Sequence, residues 1–545
     1  MNKIFYNGTI KTMNPNNPTA SAIAIKDNLI YKVGSDEEIM ALKDEATEVF
    51  DLEGKLVVPG FNDSHLHLLH FGLLLQNLNL ANTTSISQVI EKAKAFIEAK
   101  GLEDGQWVMG FGWNQDYFED EKRILTRHDL DKISTTHPIF LHRTCGHIAV
   151  VNTKALEACN IDENTKQVEG GYFEVDEKGY PTGVFRENAI KLVNKRTSKL
   201  SNEEIKKCIL EASAYANSRG VTSCQTDDFL SLPENPFTDV IKAYEELIKE
   251  DKLTVRIYEQ CLRPSKDLLM EFLEAGYRTG DGNEFFKIGP LKLLVDGSLG
   301  ARTALLCEPY SDDATTSGLT VIPKDKLDEL IEIAHTNDMQ IAIHCIGDKA
   351  MYMVFDGYEK VLKKYPREDH RHGIVHCQIT DDTLIKKYSQ LNVLAYIQPI
   401  FFNSDIHIVE DKVGFDRAKS SYKWKSMLSS GVKVSLGTDC PVELLDALPN
   451  IYSAVTRQDL KGFPEGGWFP EEKLSLDESI YAYTMGSAYA SFEENIKGSL
   501  EENKLADFVV LSENIYEIPE ANIKDVKVSA TIVDGKIAYK SCDFK

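Results

Sequence analysis

Eight short apolar runs in the middle of the chain constrain its fold more than any other feature of the sequence. Each run is nearly continuous in apolar residues, which is typical of parallel strands buried on both faces. Helical patterns lie between most of the runs; Asp325–His335, for instance, places Leu327, Leu330, Ile331 and Ala334 on one face. Eight strand–helix units predict an α/β fold of the TIM type, a (β/α)8 barrel, with a doubly wound parallel sheet as the competing architecture. The runs are Leu56–Phe61, Val221–Gln225, Thr254–Cys261, Leu291–Val295, Ile341–Cys345, Gly373–Cys377, Val393–Gln398 and Val432–Leu436.

The two ends of the chain have a different pattern, of short strands joined by turns. Ile23–Ile25 and Leu29–Val33 are predicted to form one hairpin, and Thr531–Val533 and Ile537–Tyr539 another. Two β-rich ends around a long α/β middle predict one small β-sandwich domain built from both termini. The predicted boundaries are residues 1–55 with 495–545 for the small domain and 56–494 for the barrel.

A long segment separates the first apolar run from the second. It contains a helical pattern, Ser85–Lys100, with a capping-box-like start and a stop at Gly101. It also contains two strand-like runs, Trp107–Phe111 and Ile139–His142. We expect an insertion of about residues 75–215 after the first barrel strand, at the catalytic end, where insertions often shape substrate pockets.

Ligand-type side chains stand at or just after the ends of four of the predicted strands. His65 and His67 are two apart on an extended segment, so both imidazoles point to the same side. His344, His376 and Asp439 each follow another predicted strand. Because the carboxyl ends of barrel strands meet at one mouth, these side chains are predicted to converge on a divalent metal, with zinc as the first choice. The alternative is that they are unrelated polar residues at strand ends.

Net charge and cysteine content limit the partners and the cellular location that we expect. The chain has 61 basic and 85 acidic residues, a net charge of −24, which disfavours nucleic acid and anionic lipid as partners. Its ten cysteines include no CxxC pair, so we expect reduced thiols and a cytoplasmic protein. Ser64–Ile90 lacks Asp, Glu, Lys and Arg, but its histidines, asparagines and glutamines argue against a membrane span.

An ordered set of motifs, spread over essentially the whole chain, resembles the amidohydrolase superfamily. Within that superfamily the sequence resembles the third amidohydrolase family, the branch that includes N-substituted formamide deformylases. A lone HxH motif is unspecific, whereas the ordered set is highly specific. The motifs are VVPGFNDSHLH, HRTCGHIAVVNTKAL, GPLKLLVDGSLGARTA, IAIHCIGDKA, GIVHCQIT, LGTDCPV and GSLEENKLADFVVL.

The resemblance implies a centre with one or two metal ions. His65 and His67, with Asp439, would hold the first ion, and His344 and His376 would hold the second. Asp439 is also the expected catalytic residue, as general base and then general acid.

The resemblance further implies a role for a lysine on the fourth barrel strand. In binuclear relatives a carboxylated lysine from that strand bridges the two metals, and Lys292 stands where it would fall. A lysine within an apolar strand is costly unless it is paired, which favours the ligand role. Lys287 is a rival for this role, and Asp296 is a candidate carboxylate near the site.

Four residues, Trp113, Arg143, His147 and Arg302, are predicted to bind the substrate, and Asn114 is expected beside Trp113. The resemblance suggests that Arg143 and His147 line the pocket, although a hydrogen-bonded structural role for His147 stays open. Trp113 and Asn114 are expected to form a wall; relatives often have Asp where Asn114 stands, which puts the substrate preference in question. Arg302 is expected to reach the substrate, with an ordinary loop salt bridge as the equal alternative.

The predicted metal site, together with the resemblance, implies a metal-dependent hydrolase that acts on C–N bonds other than peptide bonds. A metal-activated water would attack the carbonyl of a small-molecule amide, N-substituted formamides among them. Two alternatives are kept: opening of a cyclic amide or deamination of a heterocycle on the same scaffold, and a catalytically inactive binding protein. A homodimer is the default expectation for the assembly.

Overall fold

The structure, a computed structural model, describes residues 1–143, 147–168, 170–194, 199–232 and 235–544. The chain divides into two units, one formed by Met1–His70 with Ile209–Lys545 and the other by Phe71–Cys208. The first unit contains a parallel barrel and two further sheets, and the second contains a sheet of its own. The predicted boundaries of the small β domain and of the insertion stay predictions.

Eight parallel strands of the first unit form a nearly closed barrel. Neighbours along the chain pair in parallel from the first strand to the eighth, with register shifts in the β1–β2 and β3–β4 pairs. The first and last strands are joined at their carboxyl ends, where Asp439 N donates to His65 O (2.8 Å) and His67 N donates to Cys440 O (2.8 Å). This confirms the predicted α/β barrel and excludes the doubly wound sheet. The strands are β1 (Phe61–Leu66), β2 (Val221–Thr226), β3 (Arg256–Leu262), β4 (Phe286–Leu294), β5 (Ile341–Cys345), β6 (Gly373–His376), β7 (Leu394–Ile397) and β8 (Val434–Leu436).

The prediction that Leu56–Phe61 is the first barrel strand is wrong. Leu56–Pro59 belongs instead to a mixed sheet, where it pairs with Phe508–Leu511, and β1 begins only at Phe61. The chain passes between the two sheets at Gly60, where an added Cβ would lie 2.2 Å from Thr222 Oγ1. Both strands are buried along their whole length, so an apolar run cannot show where one ends and the next begins.

A helix follows each strand from β2 to β8. Asp382–Leu391 shows how the sequence sets the limits of such a helix. It begins after Asp381, whose carboxylate accepts from the amides of the first turn, and it ends at Asn392 in the left-handed conformation (φ 51°). No helix among the described residues is long and apolar enough to cross a bilayer.

The α-helices lie between and around the strands. They are Asp36–Met40, Leu68–Leu75, Ile86–Lys100, Arg127–Asp131, Thr153–Cys159, Lys191–Asn194, Asn202–Ser218, Phe237–Lys249, Lys266–Glu274, Lys324–Thr336, Asp348–Lys364, Asp382–Leu391, Phe402–Asp405, Val409–Val413, Phe415–Lys419, Trp424–Ser429, Ala447–Thr456, Leu476–Tyr481 and Ser487–Ala490. Helical turns of the 3-10 or π type are Gln115–Tyr117, Asn188–Ile190, Pro399–Phe401, Pro470–Glu472, Ala482–Gly486 and Glu520–Asp525.

Strands from both ends of the chain form two sheets in the first unit. The predicted hairpins are confirmed: Ala22–Lys26 pairs with Leu29–Gly34, and Val528–Val533 with Lys536–Lys540. Side chains of both sheets share one apolar cluster. A separate small β domain nevertheless stays a prediction. In order across each sheet, the strands are Leu29–Gly34, Ala22–Lys26, Lys3–Tyr6 and Glu48–Asp51, and Lys536–Lys540, Val528–Val533, Phe508–Leu511, Leu56–Pro59, Thr9–Lys11 and Thr19–Ala20.

The second unit is built on a six-stranded mixed sheet. The predicted helix Ser85–Lys100 is confirmed as Ile86–Lys100, with Ser85 as its N-cap, which accepts from the Gln88 amide, and Gly101 as its left-handed C-cap (φ 58°). Its buried side chains join an apolar cluster with residues of the sheet. In order across the sheet, the strands are Gly171–Val175, Pro181–Glu187, Ile148–Val151, Ile139–Arg143, Val108–Trp113 and Leu78–Asn79.

Candidate metal centre

Histidine and aspartate side chains converge at the carboxyl ends of the barrel strands. His65 lies in β1, His376 is the last residue of β6, and Asp439 lies three residues beyond β8. Their ligand atoms all lie within 4.8 Å of one another. A second set, equally close, consists of His65, His67 and Asp227. The mouth of the barrel therefore contains donor groups of the type that hold a divalent metal.

One carboxylate oxygen lies between two imidazoles at this mouth. Asp439 Oδ1 is 3.0 Å from His67 Nε2 and 3.3 Å from His65 Nε2. Lys292, in β4, places Nζ 3.0 Å from the same nitrogen of His65. His65 and Lys292 are each only 1% exposed, so water hardly screens these interactions.

Two glutamines fix the orientation of the buried imidazoles. Gln260 Oε1 lies 2.8 Å from His65 Nδ1, and Gln398 Oε1 lies 2.8 Å from His376 Nδ1. Each glutamine also donates its amide nitrogen to a backbone carbonyl, at 3.0 Å and 3.3 Å, which assigns the oxygen to the histidine. Nδ1 therefore carries the hydrogen and Nε2 keeps its lone pair, as a metal ligand requires. This donor set fits a divalent ion such as zinc.

Burial decides the charge state of the site. It lowers the pKa of His65 and His376 well below the usual range, so both rings are neutral and keep a free lone pair. Burial also lowers the pKa of Lys292. For His67 burial acts in the same direction, but the adjacent carboxylate of Asp227 outweighs it and the pKa is raised to about 10.

The backbone at the site is held in sparsely populated conformations. His376 (φ 82°) and Asp439 (φ 58°) are both left-handed, which costs about 1–3 kcal/mol each for a residue with a side chain. Asp63 supports the segment beside Asp439: it accepts from Thr438 Oγ1 (2.8 Å) and from Tyr483 OH (2.8 Å). Burial raises the pKa of Asp63 to about 7.

Two candidates from the sequence, His344 and Asp296, lie beside the cluster. The His344 ring is 4.4 Å from that of His376, but its Nε2 is 3.1 Å from Gly297 O and 3.4 Å from Asp296 Oδ1. Asp296 accepts from three backbone amides at 2.8–3.1 Å. Among the described residues, neither of the two close sets of ligand atoms includes His344 or Asp296. The ligand role of His344 stays a prediction.

Lys287, the rival of Lys292, lies at the opposite end of β4. Its Nζ donates to Glu493 Oε1 (2.8 Å). A cavity of about 390 Å³ opens at that end of the barrel. It is distinct from the metal centre, because its walls come from the amino ends of strands and the segments before them, including Tyr258, Lys287, Gln340 and His370.

Three of the predicted substrate-binding residues lie in the second unit. Trp113 is fully buried, and its Nε1 donates to a backbone carbonyl (3.2 Å). Arg143 donates to Asp116 Oδ2 (2.7 Å). The His147 side chain is 69% exposed and its Nδ1 lies 3.0 Å from Glu187 Oε2. Their roles in substrate binding stay predictions.

Arg302 lies in the first unit, on the segment after β4. Its guanidinium donates twice to Asp312, at 3.1 Å and 2.8 Å. This is the loop salt bridge that the sequence left as the alternative, and contact with a substrate stays a prediction.

Sequence analysis missed three polar residues at the centre: Asp227, Gln260 and Gln398. Asp227 directly follows β2, so the rule that singled out the side chains after other strands would have found it as well. The glutamines had no comparable signal, because the rule singles out histidines and carboxylates, and a glutamine in or after a strand is not a typical zinc ligand.

Comparisons with known proteins find relatives along the whole chain. The model of a family described as the amidohydrolase family matches residues 48–539. YtcJ of Bacillus subtilis (strain 168), named as a candidate amidohydrolase, is 32% identical over 99% of this chain and 100% of that protein. An N-substituted formamide deformylase of Arthrobacter pascens is 24% identical over 98% of this chain and 97% of that protein. The crystal structure of an uncharacterized metal-dependent hydrolase from Pyrococcus furiosus is similar with a TM-score of 0.75 at 32% identity, covering 94% of this chain and 99% of that one.

Proposed function

The chain belongs to the amidohydrolase family and is a metal-dependent hydrolase, and from this premise we propose that it cleaves a C–N bond other than a peptide bond in a small-molecule amide. The observation that carries the proposal is the convergence of His65, His376 and Asp439, with oriented lone pairs, at the barrel mouth. N-substituted formamides are the first substrates to test, because a relative at 24% identity is named for that activity.

The residues proposed to hold the metal are His65, His67, His376 and Asp439, with zinc as the first choice. Lys292 and His344 would join them if a second ion binds. Burial lowers the pKa of Lys292, and the neutral amine is the form that reacts with CO2. This supports the proposal that Lys292 is carboxylated in the loaded enzyme.

The chemistry of the proposed reaction divides between the ion and Asp439. When bound, a divalent ion lowers the pKa of water towards about 7 and polarises a carbonyl. Asp439 is proposed to accept a proton from the attacking water and to deliver it to the leaving nitrogen. An amine leaves poorly unless it is protonated, so the second transfer is as necessary as the first. The products are a carboxylic acid and a free amine.

A substrate screen with one variant tests this proposal. Release of amine from N-formyl and N-acyl amines is measured for the wild type and for Asp439→Asn, which we expect to lower kcat about 10²- to 10⁴-fold. Asp129→Asn serves as the matched control, because Asp129 is a buried carboxylate paired with Arg123. Hydrolysis of cyclic amides alone, or ammonia release from heterocycles alone, would favour the alternatives on this scaffold. Equal rates for Asp439→Asn and wild type would contradict the role of Asp439.

A further inference from the structure

Asp227 contacts His67, and it has no role in the reaction proposed above. The two nitrogens of an imidazole point in different directions, and in His67 they have different partners. Nε2 faces Asp439 Oδ1 at 3.0 Å, whereas Nδ1 is hydrogen-bonded to Asp227 Oδ1. Asp227 therefore lies behind the ring, away from the edge that faces the other predicted ligands.

The second oxygen of the same carboxylate lies near another predicted ligand. Asp227 Oδ2 is 3.7 Å from Lys292 Nζ, and the two side chains are only 3% and 2% exposed. One carboxylate thus contacts both His67 and Lys292 in surroundings that nearly exclude water. In such surroundings the hydrogen bond between His67 and the Asp227 carboxylate is stronger than it would be at the surface.

The chain segment that carries Asp227 is tied to the end of β1. Asp227 N donates to Leu66 O (3.2 Å). The next residue, Asp228, accepts from Leu69 N (2.9 Å) and from Tyr244 OH (2.6 Å). The backbones on both sides of the His67–Asp227 contact are therefore fixed relative to each other.

His67 also differs from the other two imidazoles in the kind of acceptor behind it. His65 and His376 each face the neutral amide oxygen of a glutamine, whereas His67 faces a carboxylate. A carboxylate acceptor makes the opposite nitrogen a stronger donor to a metal than a neutral acceptor does. His67 is thus set up to be the most basic imidazole ligand.

We propose that Asp227 is a positioning residue of the metal centre: it engages His67 Nδ1 and so leaves Nε2 as the nitrogen that can bind a metal. This inference rests on the metal-dependent function proposed above. In this proposal Asp227 binds a ligand and does not bind the metal itself. One of its oxygens nevertheless lies within 4.8 Å of ligand atoms of His65 and His67.

Metal affinity measured by competition with a chelator tests the proposal, using Zn²⁺ with full-length protein. We expect Asp227→Ala to weaken zinc binding about 10- to 100-fold. Asp227→Asn should weaken it less, because an amide oxygen still accepts from Nδ1 but lacks the charge. With Co²⁺ in place of zinc, the visible absorption of both variants should shift, which a purely structural effect on folding would not cause. Asp129→Asn is again the control and should leave affinity and spectrum unchanged.

The outcomes separate this inference from the function on which it rests. Wild-type affinity and an unchanged cobalt spectrum in both Asp227 variants would overturn the positioning role while leaving the metal centre intact. If the wild type itself binds neither ion, the proposed function fails and this inference fails with it. Should Asp227→Ala not fold, the nearly isosteric Asp227→Asn gives the same test.

Discussion

At the scale of single residues, the acceptor behind each imidazole determines whether the barrel mouth can bind a metal. Gln260 and Gln398 each use one amide group twice: the oxygen accepts from a histidine, and the nitrogen donates to the backbone. A histidine without such a partner can turn its ring or change its tautomer, and either change removes a ligand. The glutamines therefore matter for affinity although they do not face the ion.

Replacing Gln260 by leucine should weaken metal binding about 10- to 100-fold, because His65 Nδ1 loses its acceptor. Chelator competition measures the change. Gln340→Leu is the matched control: Gln340 is equally buried, but its amide donates to Arg371 O (2.7 Å) and Ala490 O (2.9 Å) at the other end of the barrel. We expect this control to lower stability and to leave metal affinity unchanged. Equal affinity losses in both variants would contradict a specific role for Gln260.

The sequence could indicate candidate ligands only where their position after a strand is itself a signal. His65, His376 and Asp439 were singled out in this way, and Asp227 could have been. The same signal does not predict where a side chain points. His344 also follows a predicted strand, yet its Nε2 lies against Gly297 O. Such a contact depends on the path of a loop after a different strand, which local sequence does not determine.

At the scale of elements, the junction of β1 with β8 both closes the barrel and carries the predicted ligands. Gly437, directly after β8, lies against this junction: an added Cβ would be 2.6 Å from His65 N and 2.9 Å from Asp63 Oδ1. The close approach depends on the missing side chain, because backbone atoms cannot move aside as a flexible side chain can.

We expect Gly437→Ala to cost about 1–3 kcal/mol of unfolding free energy, since it forces β1 and β8 apart. It should also weaken metal binding, because His65 moves with the backbone. Urea unfolding of metal-free protein and chelator competition measure the two effects. Gly300→Ala is the control, because the nearest atom to its added Cβ is in Ile408 at 3.6 Å. No shift of the urea midpoint in Gly437→Ala would show that the junction is looser than described.

Apolar runs located seven of the eight barrel strands, because a parallel strand that is buried on both faces is nearly continuous in apolar residues. They failed at β1, where Leu56–Pro59 and Phe61–Leu66 are both fully buried but belong to different sheets. What separates them is a turn at Gly60 against Thr222, a contact with a residue more than a hundred positions away. The hydrophobicity of the segment does not predict that contact.

At the scale of the whole molecule, three buried histidines lie at the end of the barrel opposite the metal centre. His335 Nδ1 is 2.9 Å from His372 Nε2, and His370 Nδ1 accepts from the His372 amide (2.9 Å). Burial lowers the pKa of all three, and that of His370 to about 4. Stability should therefore depend on pH through groups far from the reaction.

The direction in which stability changes with pH follows from the number of protons bound by the folded and unfolded chains. An unfolded histidine has a pKa near 6.5, so between about pH 6.5 and 4 the unfolded chain binds more protons than the folded one. The contribution of neutral His370 is complete above about pH 6.5 and is lost as the pH falls towards 4. Its size is at most about 3 kcal/mol.

We therefore expect the difference in urea midpoint between wild type and His370→Gln to shrink as the pH is lowered from 7.5 to 4.5. The comparison with the variant is needed because Asp63, Asp228 and Asp405 have raised pKa values and act in the opposite direction. A difference that does not change with pH would contradict the assigned role of His370.

The amino acid sequence also leaves long-range ion pairs unpredicted. Arg256, at the start of β3, donates to Asp507 Oδ2 (2.6 Å) and to Asp534 Oδ1 (3.0 Å), which are 251 and 278 positions away. Patterns of strands at both ends of the chain predicted the terminal hairpins because a hairpin is local. The partner of a single buried arginine is not a local property, so it required the structure.

The most direct test of the central claim is the amount of metal bound per chain. Elemental mass spectrometry of protein purified without chelators is compared for the wild type and for the double variant His65→Ala/His67→Ala. We expect about one to two equivalents of a divalent metal such as zinc in the wild type and a clear loss in the double variant. A wild-type protein that binds no metal, even after reconstitution with zinc, would contradict it.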